Sequence, residues 1–217
     1  MPRKATLSKE KIKKKALKIL QKSSLEGVTM RKLSAALRVE AMSLYNYYPS
    51  KEVLLDDLVD HVFESIDWQP EFGQPWKAQI YDRCCQLRKA LLDHPWALGL
   101  LESRKNPGFQ TLLHHNNVIG CFVESGMSID NAGHAYALID SYVYGFVLQE
   151  LTLAKEADHD INQVAESMLE DFPQDQLPYL YEFTVHKVVG KNYNFGDEFE
   201  VGLNLVLNSL KDKQGER

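Results

Sequence analysis

The most constraining feature of the chain is a pair of short helical segments joined by only three residues. Thr29 is a good helix N-cap, and apolar residues then repeat at helical spacing over 30–37. The next residues, Arg38-Val39-Glu40, are too few for anything but a tight turn before a second segment at 41–47, which Pro49 ends. Two short helices joined in this way form a helix-turn-helix, whose second helix normally enters the major groove of DNA. A generic helical hairpin has the same lengths, so the spacing alone leaves both readings open.

Two further helices are predicted on either side of this pair. Ser8 can cap a first helix that ends near residues 23–24, and Ser50 can cap a fourth that continues toward Asp67. Both repeat apolar residues at helical spacing. The N-terminal part is therefore predicted to be a small helical head.

A cluster of Pro and Gly residues over 70–75 breaks the helical pattern and marks a domain boundary. We predict a helical head over 1–67 and a larger helical body over 74–217. No alternating strand and no internal repeat is found, so the fold class is all-α. The helices predicted in the body cover residues 76–93, 96–103, 107–125, 128–156, 160–171, 177–189 and 195–213.

The charge is distributed unevenly between these two parts. Residues 1–55 carry a net charge of +9 and residues 56–217 carry −14, within a total of −5. A basic head on an acidic body is expected if only the head meets a polyanion such as DNA, although a solvated basic helix face is the alternative. The three cysteines form no CxxC motif and, as small hydrophobic residues, indicate a reducing cytoplasm. We predict no membrane span and no secretory signal.

The sequence gives no indication of an enzyme. It contains no HExxH, GxSxG, P-loop or GxGxxG motif. His114 and His115 are adjacent on a predicted helix and so point about 100° apart, a poor arrangement for one metal ion. We therefore predict neither a cofactor nor a bound metal.

The most distinctive motif of the head is the segment GVTMRKLSAALRVEAMSLYNYYPSKEVLL, residues 27–55. At nearly every defined position it resembles the pattern of the TetR family of bacterial transcription regulators. One departure is Arg38, where the family usually has a glycine that turns with positive φ. A non-glycine residue in that conformation costs about 1 kcal/mol, which a folded head tolerates.

The resemblance implies which residues of the head contact DNA. The Thr29 hydroxyl and the N-terminus of its helix can bind a DNA phosphate. The forked guanidinium of Arg31 can donate two hydrogen bonds to guanine O6 and N7. The apolar tip of the recognition helix, Ala41 and Met42, suits thymine methyl groups. The residues after it would hold the DNA backbone or, for Ser43 and Asn46, alternatively a base. In the alternative interpretation, the Tyr45 side chain is half-buried in the head core and is not purely a DNA contact. The predicted DNA-binding residues are Thr29, Arg31, Ala41, Met42, Ser43, Tyr45, Asn46, Tyr47 and Lys51.

The body is similar to the tetracycline-repressor branch, although more loosely. Together the two resemblances imply a DNA-binding domain over 1–67 and a ligand-sensing and dimerisation domain over 74–217. The body's similarity also implies a homodimer formed by a four-helix bundle from the helices at 128–156 and 195–213. Small residues recur every four positions on the first of these helices and would allow close approach, unless they form a packing seam within the monomer. The predicted dimer-interface residues are Gly133, Ala137, Ser141, Gly145 and Gly202.

Polar aromatic residues of the body are candidates for lining a ligand cavity, with simple core packing as the alternative. Asp140 is the most informative, because it lies on a largely apolar helix and a buried carboxylate needs a partner. The predicted ligand-binding residues are His94, Trp96, His115, Phe122, Tyr136, Asp140 and Tyr144.

The family's metal–tetracycline site is not preserved here. The resemblance places Leu101, Arg104 and Gln149 where that branch has its metal-binding histidine, the neighbouring threonine and the second-subunit glutamate. We therefore do not expect magnesium–tetracycline to be the effector. The resemblance implies a repressor that binds a palindromic operator as a homodimer and is released by another small molecule. In the alternative, the body is only a dimer or protein-interaction module.

Overall fold

The structure, a computed structural model, describes residues 7–22, 25–71, 73–101, 106–156, 161–170, 172–190 and 193–210. Within these ranges the regular structure is entirely helical, in agreement with the predicted fold class. The helices are α1 Lys9–Leu20, α2 Met30–Leu37, α3 Ala41–Tyr45, α4 Lys51–Glu64, α5 Trp76–Asp93, α6 Pro95–Leu101, α7 Phe109–Glu124, α8 Ile129–Glu156, α9 Ile161–Glu170, α10 Pro178–Phe183 and α11 Glu198–Ser209. Across these residues, no helix is both long enough and apolar enough to cross a membrane.

Three of the first four helices begin at the caps that the sequence predicts. The hydroxyls of Ser8, Thr29 and Ser50 each accept a hydrogen bond from the backbone N–H three residues on. The helices α1, α2 and α4 enclose one apolar core together with α3. Its fully buried members include Ile12, Ala16, Val28, Leu33, Leu44, Leu54 and Leu58.

The turn between α2 and α3 has the predicted geometry. Arg38 adopts φ 57° and ψ 45°, the left-handed conformation, and its N–H bonds to the carbonyl of Ala35. The chain re-enters a helix at Ala41, so α2 and α3 are separate, as the helix-turn-helix reading requires. The third helix ends at Tyr45 rather than at the predicted residue 47.

Contacts divide the chain into two compact units, with the boundary inside α8. The first unit comprises the described residues up to Leu138, and the second those from Ile139 to Leu210. In the first unit, α4 packs against α5, α6 and α7 as well as against α1. The helix α4 thus contacts both the head core and the helices that follow it, and the boundary between residues 67 and 74 stays a prediction.

The second unit is formed by the C-terminal half of α8 with α9, α10 and α11. Ile139, Val143 and Val147 follow one face of α8 and are fully buried, as are Phe199 and Leu203 of α11. The helix predicted over 177–189 is divided, since α10 ends at Phe183 and a π-helical turn covers Thr184–Val188. The last helix begins at Glu198 after a 3₁₀ turn at Phe195–Asp197. The helices predicted over 96–103, 160–171 and 195–213 include residues 102–103, 160, 171 and 211–213, which lie outside the described residues.

Candidate DNA-binding surface and polar core

The N-terminal end of α2 presents the first predicted contact residues. The Thr29 hydroxyl accepts from the Lys32 N–H at 3.1 Å and so acts as the helix cap. Arg31 is exposed one residue into the helix, whereas Val28 on the other side of Thr29 is buried. The guanidinium of Arg31 is therefore presented to solvent from a firmly capped helix end, where it can meet a negatively charged partner.

The short helix α3 has one buried side chain. Its other side chains, both polar and apolar, are exposed or half-buried. Leu44 is fully buried in the head core and fixes the rotation of the helix. Met42 is 72 % exposed, Tyr45 is 43 % exposed and Asn46 is also exposed. Ala41 and Ser43 are half-buried. The structure therefore brings the predicted tip residues to the surface on one short element, and Tyr45 is more surface than core.

Two of the residues predicted to contact the DNA backbone, Tyr47 and Lys51, already have hydrogen-bond partners within the head. The Tyr47 hydroxyl donates to the Leu7 carbonyl at 2.7 Å and holds the residue that precedes the Ser8 cap. The ammonium of Lys51 lies 3.5 Å from the Leu25 carbonyl. Both residues therefore help to assemble the head, and this role could not be read from the motif.

Tyr48 is an organising residue that the sequence reasoning missed. It is almost fully buried, and its hydroxyl donates to Asp57 of α4. Burial raises the pKa of Tyr48 above its usual range, and the hydrogen bond and negative charge of Asp57 raise it further. The other Asp57 oxygen lies 3.6 Å from the Lys13 ammonium of α1. Asp57 thus connects α4 to α1 and to the segment that follows α3.

A second carboxylate of α4 caps the N-terminus of α7. Asp60 accepts hydrogen bonds from the Thr111 N–H at 2.7 Å, the Thr111 hydroxyl at 2.9 Å and the Gln110 N–H at 3.2 Å. Gly108, the N-cap residue of α7, lies directly against this carboxylate, and a Cβ there would overlap it. A helix N-terminus has unsatisfied N–H groups and a partial positive charge. The carboxylate of Asp60, which belongs to α4, accepts hydrogen bonds from these N–H groups of α7 and offsets that charge.

The core of the first unit contains a buried arginine–histidine pair. Arg83 of α5 is 0 % exposed, and its Nε–H donates to Nε2 of His114 at 2.9 Å. Burial, then the positive charges of Arg83 and His115, lower the pKa of His114 to about 2. The imidazole is therefore neutral, with its proton on Nδ1. Its ring lies 5.2 Å from that of Phe63 in α4.

The predicted ligand residues of the first unit form separate small groups. The His115 ring lies 5.4 Å from the Tyr136 ring and 5.7 Å from Phe63, beside the Arg83–His114 pair. His94 packs against Trp96 with ring centroids 5.9 Å apart, and Trp96 also contacts the head core. Phe122 is fully buried and packs edge-on against Trp76.

Asp140 and Tyr144, the predicted ligand residues of the second unit, are in contact with each other. Asp140 is buried, and the Tyr144 hydroxyl donates to its Oδ2 at 3.3 Å. The expectation that this carboxylate needs a hydrogen-bond partner is therefore met within one turn of α8.

Two cavities lie near these groups in the first unit. One of 510 Å³ is lined by Trp76, Lys77, Gln79, Cys121 and Glu124 among others, and contains no predicted ligand residue. The other, of 320 Å³, lies between the ends of α4 and α5 and includes His94. Among the residues that the structure describes, no three His, Cys, Asp or Glu side chains are arranged to hold a metal ion.

The small residues of α8 and α11 have different surroundings. A Cβ added at Gly133 or at Gly145 would meet no atom within 4 Å. Ala137 and Ser141, which lie between them on α8, are exposed. Gly202 is different, because a Cβ there would overlap the Tyr142 hydroxyl, which donates to the Phe199 carbonyl at 2.8 Å. Packing within one protomer therefore accounts for the glycine at 202, but not for the glycines at 133 and 145.

Apolar side chains accompany the open small residues. Leu148 on α8 and Val201 and Leu205 on α11 are each more than half exposed. All three belong to the second unit. Each of these side chains has apolar area that a further partner could bury.

Family models of known proteins cover most of the chain. One described as the tetracyclin repressor-like C-terminal domain matches residues 69–214, and one described as bacterial regulatory proteins of the tetR family matches residues 12–58. A helix-turn-helix head followed by a helical body defines a class of DNA-binding transcription regulators, which are not enzymes. Within that class, the chain belongs to the TetR family.

Curated relatives support the same family. An HTH-type transcriptional regulator of Saccharopolyspora erythraea is 32 % identical over 147 residues, which are 68 % of this chain and 62 % of that protein. The transcriptional repressor DrrR1 of Streptomyces coeruleorubidus is 29 % identical over 149 residues, 68 % of this chain and 55 % of the repressor. The chain thus spans less than two thirds of the length of these two relatives. The class E tetracycline repressor of Escherichia coli is 25 % identical over 171 residues, 77 % of this chain and 80 % of that protein.

Solved structures share the fold. The TetR family protein ActR of Streptomyces coelicolor, in complex with actinorhodin, aligns with a TM-score of 0.81 at 21 % identity over 95 % of this chain and 97 % of that one. BioQ, crystallised with its operator DNA, aligns with a TM-score of 0.63 at 20 % identity over 94 % and 98 % of the two chains. These likenesses show a common helical architecture.

Proposed function

We propose that the protein is a homodimeric repressor that binds a palindromic DNA operator and is released by a small-molecule effector. The observation that carries the proposal is the helix-turn-helix itself: Arg38 in the left-handed conformation separates a capped α2 from a short α3 with an exposed tip. The net charge of +9 on residues 1–55 favours the approach of this part of the chain to a polyanion.

The proposed division of the DNA interface follows the chemistry of the exposed side chains. Arg31 reads guanine, whereas Ala41, Met42 and Ser43 contact base edges or methyl groups. Thr29, Tyr45, Asn46, Tyr47 and Lys51 contact the backbone, with Asn46 also able to reach a base. For Tyr47 and Lys51, this contact is made from side chains already held in place by Leu7 and Leu25.

We further propose that two copies pair through α8 and α11. The support is the open space at Gly133 and Gly145, with Ala137 and Ser141 exposed between them. The exposed apolar residues Leu148, Val201 and Leu205 would be buried by a second copy. A two-fold axis would then fix the spacing of two DNA-reading heads, which suits a palindromic site.

The proposed effector binds in the body, near some of the residues His94, Trp96, His115, Phe122, Tyr136, Asp140 and Tyr144. The support is the pairing of buried and half-buried polar and aromatic groups, in particular half-buried His115 against Tyr136 and buried Asp140 against Tyr144. The solved ActR complex holds actinorhodin, so this fold accommodates a small molecule in that protein. A DNA-binding regulator of this kind is expected to act in the cytoplasm.

Selection of genomic fragments by the purified protein tests the proposal. We expect recovery of a small set of fragments that share an inverted repeat, with binding that weakens as salt concentration rises. Equal recovery of unrelated fragments would contradict operator recognition. Genes that neighbour the recovered site would then supply candidate effectors for release assays. Specific operator binding that no such compound weakens would favour the alternative, in which the body is only a dimer or protein-interaction module.

A further inference from the structure

Two carboxylates of α4 that lie three residues apart bind two different parts of the first unit. Asp57 accepts from the Tyr48 hydroxyl, just after the exposed tip of α3, and lies 3.6 Å from the Lys13 ammonium. Asp60 instead accepts three hydrogen bonds from the N-terminus of α7. The helix α4 therefore connects residues 41–48, which we call the DNA-reading segment, to α7 through adjacent turns.

The hydrogen bonds of Asp60 fix the orientation of α4 relative to the N-terminus of α7. A carboxylate that accepts from two consecutive backbone N–H groups and a hydroxyl keeps its bonds only in one orientation relative to the helix end. Gly108 makes this approach possible, because any larger residue would overlap the carboxylate. One turn further along α4, Phe63 packs on the rings of His114 and His115 of the same α7. Two successive turns of α4 are thus held by α7.

From this arrangement we infer that Asp60 is a positioning residue for operator binding. It fixes α4 on α7, and α4 in turn orients the segment after α3 through Asp57 and Tyr48. Asp60 lies nine residues beyond Lys51, about 13 Å along the helix from the proposed phosphate contact. Its effect on DNA binding is therefore indirect. This inference rests on the proposed operator binding.

The same contact joins the helix of His115, one of the proposed effector residues, to the helix that holds the DNA-reading segment. His115 is on α7, which Asp60 caps, whereas Tyr48 is bonded to α4, which carries Asp60. A displacement of α7 would either move α4 or break these three hydrogen bonds. The orientation of the reading segment and the state of the α7 N-terminus are consequently linked.

The variant D60N tests the inference in the full-length protein. Asparagine keeps the shape but replaces one accepting oxygen with an NH₂ group that faces N–H donors. We expect operator affinity, measured by fluorescence anisotropy with a duplex that the wild type selects, to fall about tenfold. We also expect operator binding to slow hydrogen exchange at the amides of Gln110 and Thr111 in the wild type but not in D60N. A residue that only stabilised the fold would lower the melting temperature and leave both readouts unchanged at the assay temperature.

The matched control is E64Q, which removes the same charge from the same helix. Glu64 pairs with His61 at the surface, 3.0 Å from its Nδ1, and makes none of the hydrogen bonds to α7 described for Asp60. We expect E64Q to bind operator within about twofold of the wild type. The milder T111V removes only the hydroxyl bond to Asp60 and should give an intermediate loss of affinity, so it replaces D60N if that variant does not fold.

The outcomes separate the inference from the proposed function. A wild-type protein that selects no operator overturns both. A wild type that binds, with a folded D60N of equal affinity and equal exchange response, overturns the inference alone. If D60N does not fold, wild-type affinity and exchange response in T111V overturn it in the same way. An equal loss in E64Q and D60N also overturns it, because charge on α4 would then explain the effect.

Discussion

The Nε–H of Arg83 donates to the imidazole of His114 across 2.9 Å in the interior of the first unit, and the histidine accepts only because it is neutral. Its pKa of about 2 in the folded state compares with about 6.5 in an unfolded chain. Protonation therefore favours unfolding. The contribution to stability is complete above about pH 6.5 and is lost as the pH falls from there toward 2.

The variant H114Q should be less sensitive to acid than the wild type, because glutamine can accept from Arg83 and does not titrate. For the wild type, lowering the pH from 7.5 to 5.5 should cost about 1.4 kcal/mol of unfolding free energy from this group. Urea unfolding of both proteins at the two pH values measures how much unfolding free energy each one loses. The difference between the two losses isolates His114, because the other titrating groups contribute equally to both proteins. Parallel losses in the two proteins would contradict a neutral buried His114.

Substitution at two glycines should separate dimer formation from folding. At Gly145 an added Cβ meets no atom within 4 Å, so we expect G145L to fold while the proposed bundle is forced apart. Sedimentation should show a smaller dimer fraction, and operator affinity should fall with it. In G202A, the new methyl group overlaps Tyr142, so the expected effect is a loss of about 1–3 kcal/mol in unfolding free energy. A G145L protein that remains a tight dimer and binds operator would place Gly145 outside the interface.

Two basic residues of the head should affect DNA binding in different ways. R31A should lose about 1–3 kcal/mol of discrimination between operator and scrambled duplexes, because a guanine contact is removed. K51A should weaken binding to all duplexes alike and flatten the dependence on salt, because a phosphate contact is removed. Titrations of both duplexes at several salt concentrations distinguish the two. Unchanged discrimination in R31A would rule out guanine reading by this residue.

Replacing Arg38 with glycine should stabilise the head. The left-handed conformation costs a non-glycine residue roughly 1–2 kcal/mol, partly offset by the greater freedom of glycine in the unfolded chain. R38G should therefore gain about 0.5–1 kcal/mol of unfolding free energy. Urea unfolding of R38G and R38A provides the measurement, since alanine keeps the conformational cost. Equal stability of the two variants would argue against this account.

Magnesium–tetracycline should not bind to the protein. Leu101 and Gln149 cannot replace the imidazole and carboxylate that ligate the metal in the tetracycline-repressor branch. Arg104, at the third changed position, lies outside the described residues. Isothermal titration calorimetry with tetracycline and magnesium chloride should show no heat of binding. Micromolar, magnesium-dependent affinity would overturn this prediction.

The sequence predicts the local features of this fold well and its long-range contacts poorly. Ser8, Thr29 and Ser50 are recognisable caps, because a cap acts on N–H groups two or three residues away. Asp60 bonds to Thr111, 51 residues later, and no local pattern reports such a pair.

The polar interior shows the same difference between local and long-range information. Periodicity indicates which face of a helix is buried, but it does not predict that Arg83 belongs to that face. The choice between Tyr47 and Tyr48 as the buried ring likewise depended on the exact rotation of the chain after α3. The Asp140–Tyr144 contact was within reach of the sequence, since residues four apart on a helix are neighbours.

The empty space beside Gly133 and Gly145 gives saturation mutagenesis of this chain a specific use. Selection for cellular abundance should accept other side chains at both positions, since a Cβ added at either one meets no atom within 4 Å. Selection for transcriptional control should accept few, if a second copy occupies that space. At Gly202 the two selections should agree, because Tyr142 excludes larger residues in either case. The positions at which the two libraries diverge would therefore outline the dimer contact without a structure of the assembly.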